Sequence, residues 1–109
     1  MKAVNIIGID LAKTIFHVHA VDERGVEVYK KRLSRKKLVE LISNTPPCVV
    51  AMEACATAHH WGRTFSQMGH TVRLIAPQHV KPFVRGEKND WNDAKAIAQC
   101  AKTGVDLRI

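Results

Sequence analysis

The sequence predicts an α/β fold, in which one mixed β-sheet combines an antiparallel meander with parallel strands and carries helices on both faces. Three observations support this fold class. A near-continuous apolar run close to the N-terminus suits a central strand, the next segment alternates and turns back, and strand and helix patterns then follow one another. The order β-β-β-α-β-α-β-α is typical of a sheet covered by helices.

The first three strands are predicted to form the antiparallel meander. Residues 4–10 make up the apolar run. Residues 14–21 alternate, which places His17 and His19 on the face opposite Phe16. A hairpin turn and a returning strand are predicted at residues 22–25 and 26–33.

The middle of the chain predicts two helices. Ser34 is a suitable N-cap for a helix over residues 35–43, which ends before Pro46 because proline cannot continue the hydrogen-bond ladder. A second helix, from about residue 57 or 58 to residue 68, is indicated by the helical spacing of Trp61 and Phe65. The strands of this region are predicted at residues 48–53 and 70–76, the second of which Pro77 stops.

The last part of the chain is predicted to hold a loop and one more helix. Residues 80–88 are basic and turn-rich, so we expect an exposed, mobile loop there. Residues 90–102 have the pattern of an amphipathic helix. Its buried stripe is predicted to consist of Ala94, Ile97, Ala98 and Ala101.

Length, charge and cysteine content restrict the class of protein. A chain of 109 residues has room for one domain with one core. Its formal net charge of +7 favours polyanionic partners such as nucleic acid. No apolar run approaches the ~18 residues of a membrane span, and no signal peptide is evident, so we expect a cytoplasmic protein with no membrane partner. Three cysteines without Cys-x-x-Cys spacing predict reduced, packed thiols.

Four carboxylates are the main candidates for a functional site: Asp10, Glu53, Asp90 and Asp93. The first two close predicted strands, and ligands in α/β sheets bind at the carboxyl ends of strands. The other two are three residues apart, so a helix would put them on one face. Taken singly, an aspartate at the end of a strand is more often a turn or cap residue, and Asp90 could simply complement the dipole of its helix. Together the four acids predict a site for one or two Mg²⁺ ions, or Mn²⁺, acting on phosphate groups.

Four sequence blocks carry a resemblance to a known family, the DEDD transposases of IS110- and IS1111-type insertion sequences, which are related to Piv-type DNA invertases. The match follows the order of the chain and covers almost all of it. The blocks are GIDLAK at residues 8–13, MEACA at 52–56, APQHVKP at 76–82 and KNDWNDA at 88–94.

This resemblance implies a RuvC-like member of the ribonuclease H-like superfamily, with Asp10, Glu53, Asp90 and Asp93 as the catalytic, metal-binding tetrad. It also implies recombination of an insertion sequence in the bacterial nucleoid, directed by a structured guide RNA that pairs with donor and target DNA. The full-length protein is expected to be a homo-oligomer. Because family members are several times longer and use a serine nucleophile in a C-terminal domain, we expect residues 1–109 to be an isolated or truncated N-terminal domain, inactive alone.

Basic side chains near the acidic blocks are candidates for contacts with DNA or RNA phosphates. A solvated charged face remains an equal alternative for them, and it is the favoured interpretation of the basic residues 35–37. We expect His17 and His19 to be ordinary half-buried histidines, because a third metal ligand is missing. The candidate phosphate-binding residues are Lys13, Lys81, Arg85 and Lys88.

Two other functions compete with a catalytic domain. The chain could be a non-catalytic module that binds RNA or DNA, which its basic charge favours. It could also be a fragment of an actin-like or Hsp70-like ATPase, because residues 8–14 resemble the first phosphate loop of that fold. Ala12 stands where that family has glycine, and the chain has no second glycine-rich loop, so this alternative is the weakest.

Overall fold

The structure, a computed structural model, describes residues 3–11, 14–81 and 90–102, with residues 90–93 described by their backbone alone. Five strands and four helices lie in these ranges. In chain order they are β1 (Ile6–Asp10), β2 (Ile15–Val21), β3 (Glu27–Ser34), α1 (Arg35–Ser43), β4 (Val49–Glu53), α2 (Ala58–Gln67), β5 (Thr71–Ile75), α3 (Pro77–Val80) and α4 (Asp90–Lys102).

All five strands form one mixed sheet in the order β3-β2-β1-β4-β5. The strand β1 is central, antiparallel to β2 and parallel to β4. The pairing of β2 with β3 completes the predicted meander, and β4 pairs in parallel with β5. The predicted mixed sheet is therefore confirmed.

Helices cover both faces of this sheet, as predicted, and each face has its own core. On one face, Ile7 and Ile9 pack with residues of α1 and α2. On the other face, Ile6 packs with residues of α4 and with Val80 of α3. All four residues of the predicted α4 stripe are buried: Ala94, Ile97, Ala98 and Ala101.

The hairpin turn shifts the predicted bounds of β3 by one residue, from 26–33 to Glu27–Ser34. The Asp22 carboxylate accepts hydrogen bonds from the backbone N–H of Arg24 at 2.9 Å and of Val26 at 3.0 Å. Gly25 takes the left-handed conformation, with φ of +82°. Val26 is thereby held in the turn. The prediction for β1 was also too long, because residues 4 and 5 lie outside the strand.

Local capping accounts for the bounds of α1 and α2. The predicted N-cap is confirmed, since Ser34 Oγ accepts a hydrogen bond from the backbone N–H of Lys37 at 3.3 Å. Helix α2 ends at Gln67, and Gly69 follows with φ of +95°. The predicted core residues Trp61 and Phe65 are both buried.

A buried histidine that the sequence did not single out joins three elements. His70 Nε2 donates to the carbonyl oxygen of Ile42 at 2.8 Å, and His70 Nδ1 accepts from the backbone N–H of Cys48 at 3.2 Å. The end of α1 is thus tied to the starts of β4 and β5.

The prediction of an exposed loop over residues 80–88 was wrong for residue 80. Residues 77–80 form the one-turn helix α3, whose first position suits Pro77 because its φ is fixed near the helical value. Val80 is only 2% exposed and belongs to the core beside α4. Lys81 is exposed as predicted, and residues 82–88 lie outside the described part of the chain.

The three cysteines are free thiols, but they are not all packed as predicted. Cys55 is exposed, whereas Cys100 is buried with its Sγ 3.2 Å from the His79 carbonyl oxygen. Burial raises the pKa of the Cys48 thiol to about 11, so that cysteine is protonated at neutral pH. Across residues 3–11, 14–81 and 90–102, no helix combines the length and the apolar character that a membrane crossing requires.

Candidate metal centre

Two of the four candidate carboxylates lie at the same edge of the sheet. Asp10 ends β1 and Glu53 ends β4, and both side chains are partly exposed. The two strands are parallel neighbours in which Ile9 pairs with Met52. Since adjacent strands lie roughly 4.8 Å apart, the residues that follow this pair stand side by side.

Both carboxylates point to the face of the sheet that α4 covers. Side chains alternate between the faces of a strand, and Ile9 and Met52 belong to the core under α1 and α2. Asp10 and Glu53 therefore share the opposite face with Gly8 and with Ala51, which belongs to the α4 core.

A glycine in β1 lets α4 come unusually close to this face. A Cβ atom on Gly8 would lie 2.7 Å from the backbone nitrogen of Ala98 and 3.0 Å from the Ala98 Cβ, and it would also collide with the carbonyl oxygen of Ala94. Two of these three atoms are backbone and cannot rotate away. Only glycine allows this approach.

The direction of α4 brings its first turn to the edge that holds Asp10 and Glu53. At the other end of the helix, Lys102 Nζ donates to the carbonyl oxygen of Glu23 in the β2–β3 turn. That turn lies beside the start of β1, because Ile6 pairs with Val21. Helix α4 thus runs antiparallel to β1, with its N-terminal end toward the carboxyl end of the strand.

The remaining two candidate carboxylates occupy this N-terminal end. Asp90 is the first residue of α4, and Asp93 follows almost one turn later. Their side chains are outside the described set. Among the side chains that are described, no three from His, Cys, Asp and Glu lie close enough together to hold a metal ion.

The predicted phosphate-binding residues are only partly described. Lys81 is exposed directly after α3. Lys13, Arg85 and Lys88 lie outside the described ranges, so their predicted role stays a prediction.

A row of polar side chains across three strands extends from Asp10, and the sequence did not predict it. His17 of β2 pairs with Asp10, and Arg32 of β3 pairs with His17. His17 and His19 are only 9% and 6% exposed, so they are more buried than predicted. The alternation of β2 showed which face these histidines share, but only the register of the meander shows that His17 adjoins Asp10.

The family model described as Transposase, for the IS110-type DEDD transposases, matches residues 7–109. The chain belongs to this transposase family. The predicted family is confirmed, and the match includes all four candidate carboxylates.

Three curated transposases are similar to this chain in sequence. A probable family 20 transposase of Pseudomonas aeruginosa is 52% identical over 95 residues, which cover 87% of this chain and 28% of that protein. The transposase for insertion sequence element IS1328 of Yersinia enterocolitica is 50% identical, with 91% and 30% covered. The transposase for IS1111A of Coxiella burnetii is 46% identical, with 93% and 28% covered. This transposase chain spans less than a third of the length of these relatives.

Two solved structures show the same fold. The chain superposes on Thermus thermophilus RuvC in complex with a Holliday junction substrate with a TM-score of 0.65, at 14% identity and with 94% of each chain covered. A second RuvC structure from Thermus thermophilus gives a TM-score of 0.64, at 16% identity and with 93% of this chain and 97% of that chain covered. The transposase chain is therefore RuvC-like and ribonuclease H-like in fold, as predicted.

A buried histidine of the transposase chain is expected to make its stability depend on pH. Burial lowers the pKa of His19 below its usual value of 6.5, and Lys95 and Lys30 lower it further, while Glu27, 3.5 Å away, raises it. Below pH 6.5 the unfolded chain therefore takes up a proton at His19 before the folded chain does. The free energy of unfolding should fall as the pH drops through this window.

Urea unfolding at pH 7.5 and at 5.5 would measure this effect in the wild type and in His19→Gln. The wild type should lose more stability between the two pH values than the variant, because the other histidines are common to both. Parallel losses in the two proteins would contradict the assignment to His19.

Proposed function

We propose that this chain is the metal-binding catalytic domain of a transposase that cleaves and joins DNA strands, with Asp10, Glu53, Asp90 and Asp93 as its catalytic residues. One observation carries the proposal: Asp10 and Glu53 lie side by side on the sheet face under α4, and α4 begins with Asp90 at the same edge. Four acids that meet at one edge would repel one another unless a cation lay between them.

The donor set fits a hard divalent cation. Carboxylate oxygens without histidine or thiolate ligands are typical of Mg²⁺ and Mn²⁺ sites. One or two such ions would stabilise the attacking and leaving oxygens of a phosphoryl displacement. Asp10 and Glu53 would hold the ion from two rigid strands, whereas Asp90 and Asp93 would reach it from α4.

Helix α4 and the strands β1 and β4 contribute to the proposed metal site in different ways. The strand carboxylates are fixed by the ladder between β1 and β4, so their separation is set before any ligand binds. The N-terminal end of α4 carries a partial positive charge, which stabilises carboxylates and phosphates near it. The distance between these two parts depends on the close approach of α4 at Gly8.

The partners follow from the family. We propose that the full-length transposase acts as a homo-oligomer on the ends of an insertion sequence and on target DNA in the bacterial nucleoid, guided by a structured RNA. A serine in the C-terminal domain of the longer family members would act as nucleophile. The acids of this chain would then form one half of a composite active site.

Metal titration tests the proposed site directly. Mn²⁺ and Mg²⁺ are titrated by calorimetry into the wild type, Asp10→Asn and Glu40→Gln, where Glu40 is an exposed acid of α1 that serves as the charge-matched control. Asp10→Asn should weaken metal binding by at least about tenfold. Loss of a group that only orients a metal ligand already costs about 10–100-fold in affinity, and Asp10 is proposed to be a ligand itself. Glu40→Gln should bind like the wild type. Equal binding by all three proteins would refute the metal site.

A non-catalytic module that binds RNA or DNA is the second candidate. Its specific support is a run of three exposed basic residues in β3, which contains no acid: Lys30, Lys31 and Arg32. Binding of structured RNA is measured across a salt series with the wild type and with a variant that lacks all four acids. Unchanged affinity together with absent metal binding would favour this second function.

A further inference from the structure

A polar cavity of about 420 Å³ lies between α4 and the β2–β3 hairpin. Lys95 and Gln99 line it from α4, and Lys30 lines it from β3. On the floor of the cavity, His19 pairs with Lys30, and His19 Nδ1 lies 3.5 Å from Glu27 Oε1. We call this cavity the hairpin groove.

The hairpin groove opens on the same face of the sheet as Asp10. Its floor residues His19 and Lys30 are paired across β2 and β3, in the same row as Gly8 of β1, which α4 covers. The row of Asp10, His17 and Arg32 lies two residues further along the same strands, on the same face. Alternate residues of a strand are roughly 6.8 Å apart, so the end of the groove at His19 and Lys30 is one step from the row of Asp10, and its other end lies at Val21 and Gly25 near the hairpin turn.

Basic side chains border the path from the groove to Asp10. Lys30 and Lys95 line the groove, and Arg32 lies in the row that leads to Asp10. Glu27 is the acidic residue of the lining, and it is paired with His19. Among the described side chains, the lining carries two lysines against one glutamate, and Arg32 adds a cation on the way to Asp10, so the groove favours an anionic ligand.

We propose that the hairpin groove binds the sugar-phosphate backbone of a single nucleic-acid strand and leads that strand to Asp10. A positively charged groove that follows a phosphate backbone is the usual device of proteins that bind single strands. The described lining has no Phe, Tyr or Trp ring, and its one imidazole, that of His19, is buried, so the groove should read the backbone and show little sequence preference.

The claim that the groove leads the nucleic-acid strand to Asp10 rests on the proposed function. The test of binding to the groove does not depend on the metal site. The affinity for a labelled single-stranded DNA of mixed sequence is measured by fluorescence anisotropy with the wild type and with the double variant Lys30→Gln/Lys95→Gln. The same measurement is made with single-stranded RNA of that sequence and with duplex DNA. Circular dichroism checks that each variant is folded.

The matched control is Lys36→Gln/Lys37→Gln. It removes the same two charges from exposed positions of α1, which packs on the opposite face of the sheet. The groove variant should bind single strands about tenfold more weakly, and the slope of log affinity against log salt should fall by about 1.4, while the control changes less. Glu27→Gln should instead bind single strands more tightly than the wild type, because this substitution removes a carboxylate that repels the phosphates.

The outcomes separate the groove from the metal site. A loss of affinity for single-stranded DNA, for single-stranded RNA or for both supports the groove and shows which nucleic acid it binds. Equal losses in the groove variant and the control, no loss in either, or a loss confined to duplex DNA would overturn it. Mn²⁺ binding by the groove variant should match that of the wild type. If the wild type binds no Mn²⁺ while the groove variant still loses affinity for single strands, the proposed function fails and the groove stands.

Discussion

Replacing Gly8 with alanine is expected to lower the free energy of unfolding by about 1–3 kcal/mol, the usual range for adding atoms to a filled core. The new methyl group would meet the backbone nitrogen of Ala98 at 2.7 Å as well as the carbonyl oxygen of Ala94. Backbone atoms of a helix cannot move individually, so α4 as a whole must shift away from β1. Urea denaturation of the purified variant measures the cost.

Gly62→Ala is the matched control for this substitution. Gly62 lies within α2, where an added Cβ would meet Val72 Cγ1 at 3.4 Å. Alanine is about 0.8–1.0 kcal/mol more favourable than glycine inside a helix, so this variant should be as stable as the wild type or more stable. Equal destabilisation by the two substitutions would show that the close contact at Gly8 is not the cause.

The Gly8 variant also tests how α4 is positioned for the proposed function. Asp10 and Glu53 stay on their strands when α4 shifts, whereas Asp90 and Asp93 move with the helix. Mn²⁺ affinity of the folded variant should therefore fall along with its stability, since metal ligands must be held within about 0.5 Å of the productive arrangement. Unchanged Mn²⁺ affinity in a destabilised Gly8→Ala protein would exclude α4 from the metal site.

The sequence predicted the elements that carry chemistry better than it predicted their arrangement. The apolar run that ends at Asp10 and the alternation around His17 both follow from the periodicity of side chains in a strand, which is a local property. That β1 and β4 are neighbours is not local. It depends on which strand the chain returns to after α1. The shared site of Asp10 and Glu53 was therefore predicted from the general rule that ligands of α/β sheets bind at the carboxyl ends of strands, and from the family resemblance.

Two misses have identifiable physical causes. The helix α3 has one turn, too few residues for a periodic pattern, although Pro77 is a residue that favours the first position of a helix. Gly8 did carry a signal, because glycine inside a buried strand often marks the close approach of another backbone. Which backbone approaches it could not be read from the sequence, since residue 94 is 86 positions away along the chain.

Replacing Phe65 with alanine is expected to cost about 3–5 kcal/mol, which is a large part of the 5–15 kcal/mol that stabilises a typical domain. Phe65 is fully buried in the core under α1 and α2. Its ring stacks on Trp61 with centroids 5.5 Å apart, and Trp61 meets Phe16 of β2 edge-on at 5.4 Å. Removing the ring leaves a cavity between α2 and the sheet, and urea denaturation would measure the loss.

Phe65→Leu keeps most of the apolar volume and should remain folded at a smaller cost, which makes it the variant for a metal titration. Phe65 and Gly8 act on opposite faces of one sheet, so the two substitutions should separate stability from metal binding. Folded Phe65→Leu should bind Mn²⁺ like the wild type, because α4 and the carboxyl ends of β1 and β4 are undisturbed. A parallel loss of Mn²⁺ affinity in Phe65→Leu and Gly8→Ala would mean that the site depends on general stability, and not on the contact between Gly8 and α4.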